Sequence, residues 1–250
     1  LLDRAALQSD RHTPVQRGAD DLAAILYTSG TTGRSKGAML THGNMLSNAR
    51  TLKDYWGWTA TGGPNGQGDV LIHALPIFHV HGLFVAIHGA LINGSKMIWM
   101  ARFDPKQVLA FLPQATVFMG VPTLYVRLLG EAGLTPQACA NMRLFVAGSA
   151  PLLLETFQEW TARTGHTILE RYGMTETCGI ITSVSGDFFV DKPDSAGPAM
   201  PAYEAKCVDD AGNTVAPGEI GELWVKGAAV IKGYINRPEA TAASITDGWL

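Results

Sequence analysis

The cluster with the most chemical content is Tyr27-Thr28-Ser29-Gly30-Thr31-Thr32-Gly33-Arg34-Ser35-Lys36-Gly37. Its glycines let backbone N–H groups approach anionic oxygens, its hydroxyls add donors, and Lys36 adds a point charge. That is the chemistry of a loop that embraces phosphate. It is not a Walker A loop, because Gly37 follows Lys36 and the spacing Gly30-x2-Gly33-x2-Lys36 differs. A flexible Gly/Ser/Thr linker is the bland alternative; a position directly after an apolar strand argues against it. A second cluster, Glu170-Arg171-Tyr172-Gly173-Met174-Thr175-Glu176, offers an aromatic face for a base, a hydroxyl for a phosphate and a carboxylate for Mg²⁺. On its own, Tyr172 reads equally as core and Glu176 as a solvated charge. Gly148-Ser149-Ala150-Pro151 is a strand-to-helix loop whose backbone could face a ligand. In Pro76-Ile77-Phe78-His79-Val80-His81-Gly82, two histidines at i, i+2 lack further ligands at zinc spacing. His81 reads as a hydrogen-bonded core histidine, and His79 as a polar group inside an apolar pocket.

The elements that would position these residues alternate between strands and helices. The apolar run 22–27 reads as a strand buried on both faces. Residues 44–56 have helical spacing, with Thr41 or Asn44 as N-cap. Residues 59–68 form a loop and 69–75 a strand, and Asp104-Pro105 starts a helix over 106–112. Strand 116–119 precedes a helix from Pro122 to Leu129. Strand 143–147 leads through residues 148–151 into a helix ended by Gly165, and 167–171 is strand again. The fold class is therefore α/β, helix-covered sheets built from parallel βαβ units. From about residue 202 the texture becomes antiparallel, with strands at 204–208 and 222–226 and a turn at 209–213. A boundary is expected within 185–201, dividing an α/β part (1–190) from an antiparallel β subdomain (191–250).

Composition narrows the function classes. Of 250 residues, 46% are hydrophobic and 16% charged, the balance of a folding chain. A net charge of −3 argues against a nucleic-acid-binding surface as the main function. Cys139, Cys178 and Cys207 form no CxxC pair and read as reduced thiols in an intracellular, cytoplasmic protein. The longest apolar run, 82–92, is interrupted by His88 and too short to span a bilayer. The start lacks a signal peptide, and both ends look cut, so a piece of something longer is expected.

Taken in order, these segments resemble the adenylate-forming superfamily of acyl-CoA synthetases, luciferases and peptide-synthetase adenylation domains. Residues 27–37 look like its phosphate loop and 170–176 like its adenine/Mg²⁺ motif. Residues 221–227, continuing to Gly233-Tyr234, look like its later structural motif. Within the superfamily, 76–84, 120–129 and 170–177 are most similar to malonyl-CoA and methylmalonyl-CoA synthetases. Two departures are a longer turn at 59–69 and Ala147 where relatives often have Ser; neither touches a reacting group.

The resemblance implies an acid–thiol ligase that joins a small dicarboxylate to the α-phosphate of ATP and passes the acyl group to coenzyme A, with Mg²⁺. The barrier is anion–anion repulsion, so catalysis is mainly positioning and charge neutralisation. It assigns Thr28, Ser29, Gly30, Thr31, Thr32, Gly33 and Lys36 to the β/γ-phosphates. Tyr172 would stack on adenine, with Gly148, Ser149 and Ala150 lining the base pocket and Glu170, Arg171, Gly173 and Met174 beside the nucleotide. Thr175 would contact the α-phosphate, Glu176 would hold Mg²⁺, and His79, with Ser149, would meet the reacting carboxylate. The second carboxylate needs a partner in the pocket. Arg127 is the candidate clamp, with a surface helix arginine as its alternative and Arg171 as competitor. A hinge Thr-Gly-Asp and a small C-terminal domain, part of the whole family enzyme, are expected beyond residue 250, so the piece alone would not complete turnover. Two rivals stay open: a ligase for another short- or medium-chain or aryl acid, and a non-catalytic nucleotide-binding fragment.

Overall fold

The structure, a computed structural model, describes residues 2–9, 11, 13–28, 35–61, 66, 68–184 and 195–250. After a short helix α1 (Leu2–Ala6), β1 (Leu22–Thr28) pairs antiparallel with β2 (Lys36–Thr41) as a two-stranded sheet. The expectation that β1 is buried on both faces is corrected: Ile25 is 37% and Tyr27 71% exposed. A run of apolar residues without alternation does not say which faces are covered. Here the covered positions fall on β2, at Ala38 and Leu40.

The main sheet has six strands: β3 (Val70–His73), β4 (Lys96–Trp99), β5 (Val117–Gly120), β6 (Leu144–Ala147), β7 (Leu169–Tyr172) and β8 (Thr182–Ser183). Their spatial order is β4-β3-β5-β6-β7-β8, parallel except for the β7–β8 pair. Strands β3, β5 and β6 are buried at every position, as their apolar sequences require, with His73 at the end of β3 the one polar residue among them. Alternate side chains feed two cores. Leu71, Val117, Met119, Leu144 and Val146 join the cluster under α2 (His42–Tyr55) and the π-helix His81–Ile87. Val70, Ile72, Phe118, Phe145 and Ala147 join the cluster on the other side. There α4 (Pro105–Phe111), α5 (Pro122–Leu129) and α6 (Leu154–Thr164) contribute Val108, Tyr125 and Trp160. Trp160 meets Tyr125 and Phe145 edge-on, each at a centroid distance of 4.9 Å.

The helix signals act as their chemistry predicts. Thr41 caps α2 in a reciprocal box: Asn44 N–H donates to Thr41 Oγ1 at 3.1 Å and Thr41 N–H to Asn44 Oδ1 at 2.9 Å. Asp104 caps α4 with Pro105 at its first position, and Gly165 (φ 75°) ends α6 in the left-handed region. The π-helix runs on into α3 (His88–Asn93), a form the apolar run 82–92 does not announce. β9 (Tyr203–Val208) and β10 (Glu222–Gly227) form the expected antiparallel pair, and α7 (Pro238–Ser244) follows. Of residues 185–201, where the boundary is expected, 185–194 lie outside the described residues. The first cluster draws Met200, Tyr203, Ala229, Ile231 and Tyr234 into the same core as β3 and β5.

Candidate active site

Because β3, β5, β6 and β7 run parallel, the loops leaving their carboxyl ends share one edge of the sheet. The chain adds β4 on one side of β3 and then returns to place β5 on the other. This reversal opens the crevice where ligands bind in such sheets. On this edge lie the loops 74–80 after β3, 148–153 after β6 and 173–176 after β7. Three of the four chemistry-bearing segments are thus brought together by topology.

A cavity of about 600 Å³ lies between the 148–153 loop and β7. Ser149, Ala150, Glu170, Arg171, Tyr172 and Gly173 line it. Tyr172 is 41% exposed, leaving ring surface available for stacking. Ser149 holds a positive φ of 69°, uncommon for a non-glycine residue, and its Oγ lies 3.3 Å from His81 Nδ1. Glu170 accepts from Leu152 N–H at 3.0 Å, tying the 148–153 loop to β7; burial pushes its carboxyl above the ordinary range.

Arg171 forms the back of this site. It is 3% exposed, and its Nη1 donates to Gly179 O, while Nε and Nη2 have no partner among the described residues. Burial pulls its pKa down to about 9. Gly148 is where the chain passes over it: a Cβ there would sit 2.5 Å from Arg171 Nε. The histidines respond to this cation. His81 is buried, and desolvation, then the charge of Arg171, holds it well below the ordinary histidine value, with Nε2 unpartnered among the described residues. His79 lies on the exposed side of the loop, lowered in the same direction by desolvation and Arg171. His81 N–H donates to His79 Nδ1 at 3.2 Å, so the proton of a neutral His79 ring belongs on Nε2.

On the far side of the 173–176 turn, Met174, Glu176 and Tyr234 border a second hollow of about 490 Å³. Thr175 begins the 3-10 turn Thr175–Thr177 that carries Glu176. Glu176 Oε1 accepts from the Tyr234 hydroxyl at 2.8 Å, and among the described residues nothing bonds Oε2. No group of three or more His, Cys, Asp or Glu among the described residues could hold a metal alone. A single carboxylate with one oxygen to spare fits Mg²⁺, which is held mostly by waters and phosphate oxygens. Thr28 and Lys36 are register partners at the loop end of the β1–β2 hairpin, so they close the glycine-rich loop at its base. Ser29, Gly30, Thr31, Thr32 and Gly33 lie outside the described residues.

Arg127 sits elsewhere. It is exposed on α5, its guanidinium 4.7 Å from the Phe103 ring centroid, and it does not line the 600 Å³ cavity. Phe103 lines a separate, mostly apolar hollow of about 670 Å³ with Phe78, Trp99, Val121 and Leu124. Two contacts escaped sequence reasoning. The His81–Ser149 approach had no signal beyond an i, i+2 histidine pair. Tyr234 had one, the Gly-Tyr of the later motif, which was given a structural part only.

The profile of the family described as "AMP-binding enzyme" matches residues 2–235. The human mitochondrial malonate–CoA ligase ACSF3 is 36% identical over 94% of this chain and 46% of its own length. A long-chain-fatty-acid–CoA ligase of Bacillus subtilis is also 36% identical, over 92% of this chain and 40% of its own. Among solved structures, apo MatB from Rhodopseudomonas palustris superposes with a TM-score of 0.92 at 50% identity, covering all of this chain and 48% of that one. O-succinylbenzoate coenzyme A synthetase from B. subtilis, in complex with ATP and magnesium ion, gives 0.87 at 32% identity over half its length. The chain spans about half the length of the relatives it matches, and no helix among the described residues is long and apolar enough to cross a membrane. From the profile over nearly the whole chain and the shared site-bearing fold, the chain belongs to the AMP-binding enzyme family.

Proposed function

We propose that this chain is the nucleotide- and acid-binding part of an AMP-forming acid–CoA ligase whose acid is a small dicarboxylate, malonate or methylmalonate. The observation that carries the dicarboxylate reading is Arg171: a residue of the cavity lining whose guanidinium is buried without a carboxylate, its Nε and Nη2 edge unpaired among the described residues and covered where Gly148 passes over it. That edge is a two-donor fork matched to a carboxylate, and a buried cation is costly until an anion meets it. In this reading the Gly148 segment gives way and the distal carboxylate seats on Arg171, with Ser149 beside it. His79 donates from Nε2 to the reacting carboxylate and orients it toward the α-phosphate, near Thr175. Tyr172 stacks on the base against Gly148 and Ala150, and Lys36 with the glycine-rich loop neutralises the outer phosphates. When bound, Mg²⁺ on Glu176 supplies further charge neutralisation. Coenzyme A then takes the acyl group from the adenylate. The apolar hollow around Phe78, Trp99 and Phe103 favours a second reading, an aliphatic or aryl acid.

Thermal melting separates the two. ATP with Mg²⁺ at about 100 times its Kd stabilises by ~2.7 kcal/mol, an upward shift of roughly 5–10 °C for a chain of this size. Malonate or methylmalonate should add a further rise, while octanoate and coumarate should not. Lys36→Ala should abolish most of the ATP shift. No shift with ATP and Mg²⁺ refutes the ligase reading; a rise with octanoate or coumarate instead of malonate selects the second acid class.

A further inference from the structure

Residues 231–235 join two parts of the site that are far apart in sequence. Met39 N–H donates to Gly233 O at 2.9 Å, Lys232 N–H to Met39 O at 3.1 Å and Ile235 N–H to Gly37 O at 2.8 Å, so the segment lies along β2 just after Lys36. Ile231 N–H donates to Glu176 O at 2.9 Å, fixing the other end to the Glu176 turn. Gly233 permits this path with φ 137°; a Cβ there would press on Thr241, whose Oγ1 accepts Tyr234 N–H at 2.9 Å.

The side chain at the centre of this seam is Tyr234, 4% exposed. Its hydroxyl donates to Glu176 Oε1 at 2.8 Å, and its ring carries Lys36 Nζ 4.5 Å from the centroid. Lys36 and Glu176 therefore share one aromatic neighbour without pairing: among the described residues the sole ion pair is Arg143–Asp69. An ammonium and a carboxylate in direct contact would neutralise each other and be lost to a phosphate and its metal.

We propose that Tyr234 is a positioning residue for ATP: its ring holds Lys36 apart from Glu176, and its hydroxyl fixes the Glu176 carboxylate with one oxygen left for Mg²⁺. The inference rests on the ligase reading above and adds a residue to it. It predicts that ring and hydroxyl have separable effects. Tyr234→Phe keeps the spacer and removes the bond to Glu176. Tyr234→Leu removes both and frees Lys36 to pair with Glu176.

The test is calorimetric titration of ATP into wild type and both variants, once with Mg²⁺ and once with EDTA, melting curves confirming that each is folded. Tyr234→Phe should bind metal-free ATP within twofold of wild type. It should also lose about tenfold in affinity when Mg²⁺ is present, the factor for one hydrogen bond to a charged group. Tyr234→Leu should weaken metal-free binding as well. In a Glu176→Gln background, Tyr234→Phe should have no further effect on the Mg²⁺-dependent part. Unchanged Mg²⁺-dependent affinity in Tyr234→Phe, or equal loss with and without the metal, overturns the proposal while wild-type binding upholds the ligase reading. Wild type that binds no ATP under either condition refutes that reading and this inference with it.

Discussion

At the scale of one residue, the proposed dicarboxylate chemistry turns on Arg171. A fold gains little from a guanidinium at 3% exposure with two unpaired donors, because the desolvation cost of the charge is not offset by a carboxylate. Burial already pulls it down to about 9, and its charge helps hold His79 and His81 neutral, with desolvation the larger cause. Arg171→Met tests what it is kept for. Removing the buried charge is stabilising. Losing the Nη1 bond leaves Gly179 O short of a partner, a cost of about 1 kcal/mol. These effects oppose, so the melting temperature should stay within about 3 °C of wild type. The ATP–Mg²⁺ shift should persist and the malonate increment disappear. An Arg171→Met variant that still responds to malonate would move the clamp to Arg127, now stacked on Phe103 at the surface.

The element that matters most is the turn after β7. Gly173 leaves no room for a side chain: a Cβ would meet the Gly179 carbonyl oxygen, with Ile180 Cα at 2.5 Å. The carbonyl is backbone, and it also accepts from Arg171, so the neighbour cannot rotate away. Gly173→Ala should therefore cost about 1–3 kcal/mol of stability by overpacking. It should also shift the Glu176 turn enough to erase the ATP–Mg²⁺ melting shift, which a purely stabilising glycine would leave intact. Urea midpoints and ligand-induced shifts on the same samples check both. Much at this scale was readable from the chain. Thr41 and Asn44, Asp104-Pro105 and Gly165 announced helix ends because caps are local chemistry, and β3, β5 and β6 announced themselves as apolar runs. The loops 148–151 and 170–176 were read as ligand-facing, and both line cavities. What stayed hidden depends on partners distant in sequence. The half-exposed β1 needed knowledge of what covers it. The Tyr234–Glu176 bond spans 58 positions, and the Ser149–His81 approach spans 68. No periodicity encodes either.

Across the whole molecule, ligand chemistry and mechanical closure lie at opposite ends of the same strands. At the amino end, Asp69 precedes β3, Thr116 precedes β5 and Arg143 precedes β6. Asp69 is fully buried and accepts from Arg143 Nε at 2.7 Å, Thr116 Oγ1 at 2.7 Å and Thr59 N–H at 2.8 Å. Arg143 also donates to Trp56 O at 2.9 Å, fastening the end of α2. Burial pushes the Asp69 carboxyl up, yet Arg143 and the Thr59 and Thr116 bonds together bring it below the ordinary value. A carboxyl lowered on folding contributes stability that is whole above its unfolded pKa, about 3.9. That contribution is lost as the pH falls through the still lower folded value. Arg143→Met leaves the charge buried with two neutral donors and should cost roughly 2–4 kcal/mol at pH 7. Without Arg143, burial dominates and the folded pKa of Asp69 rises above the unfolded one. The variant then recovers as the pH falls through its raised Asp69 value, and wild type loses its own contribution below about 3.9, so the difference in urea midpoint should begin to narrow above about pH 4 and go on narrowing below it. ATP affinity at pH 7 should remain within twofold of wild type, since the crevice is at the carboxyl ends of the strands. A large loss of ATP affinity with an unchanged urea midpoint would contradict this division between the two ends of the sheet.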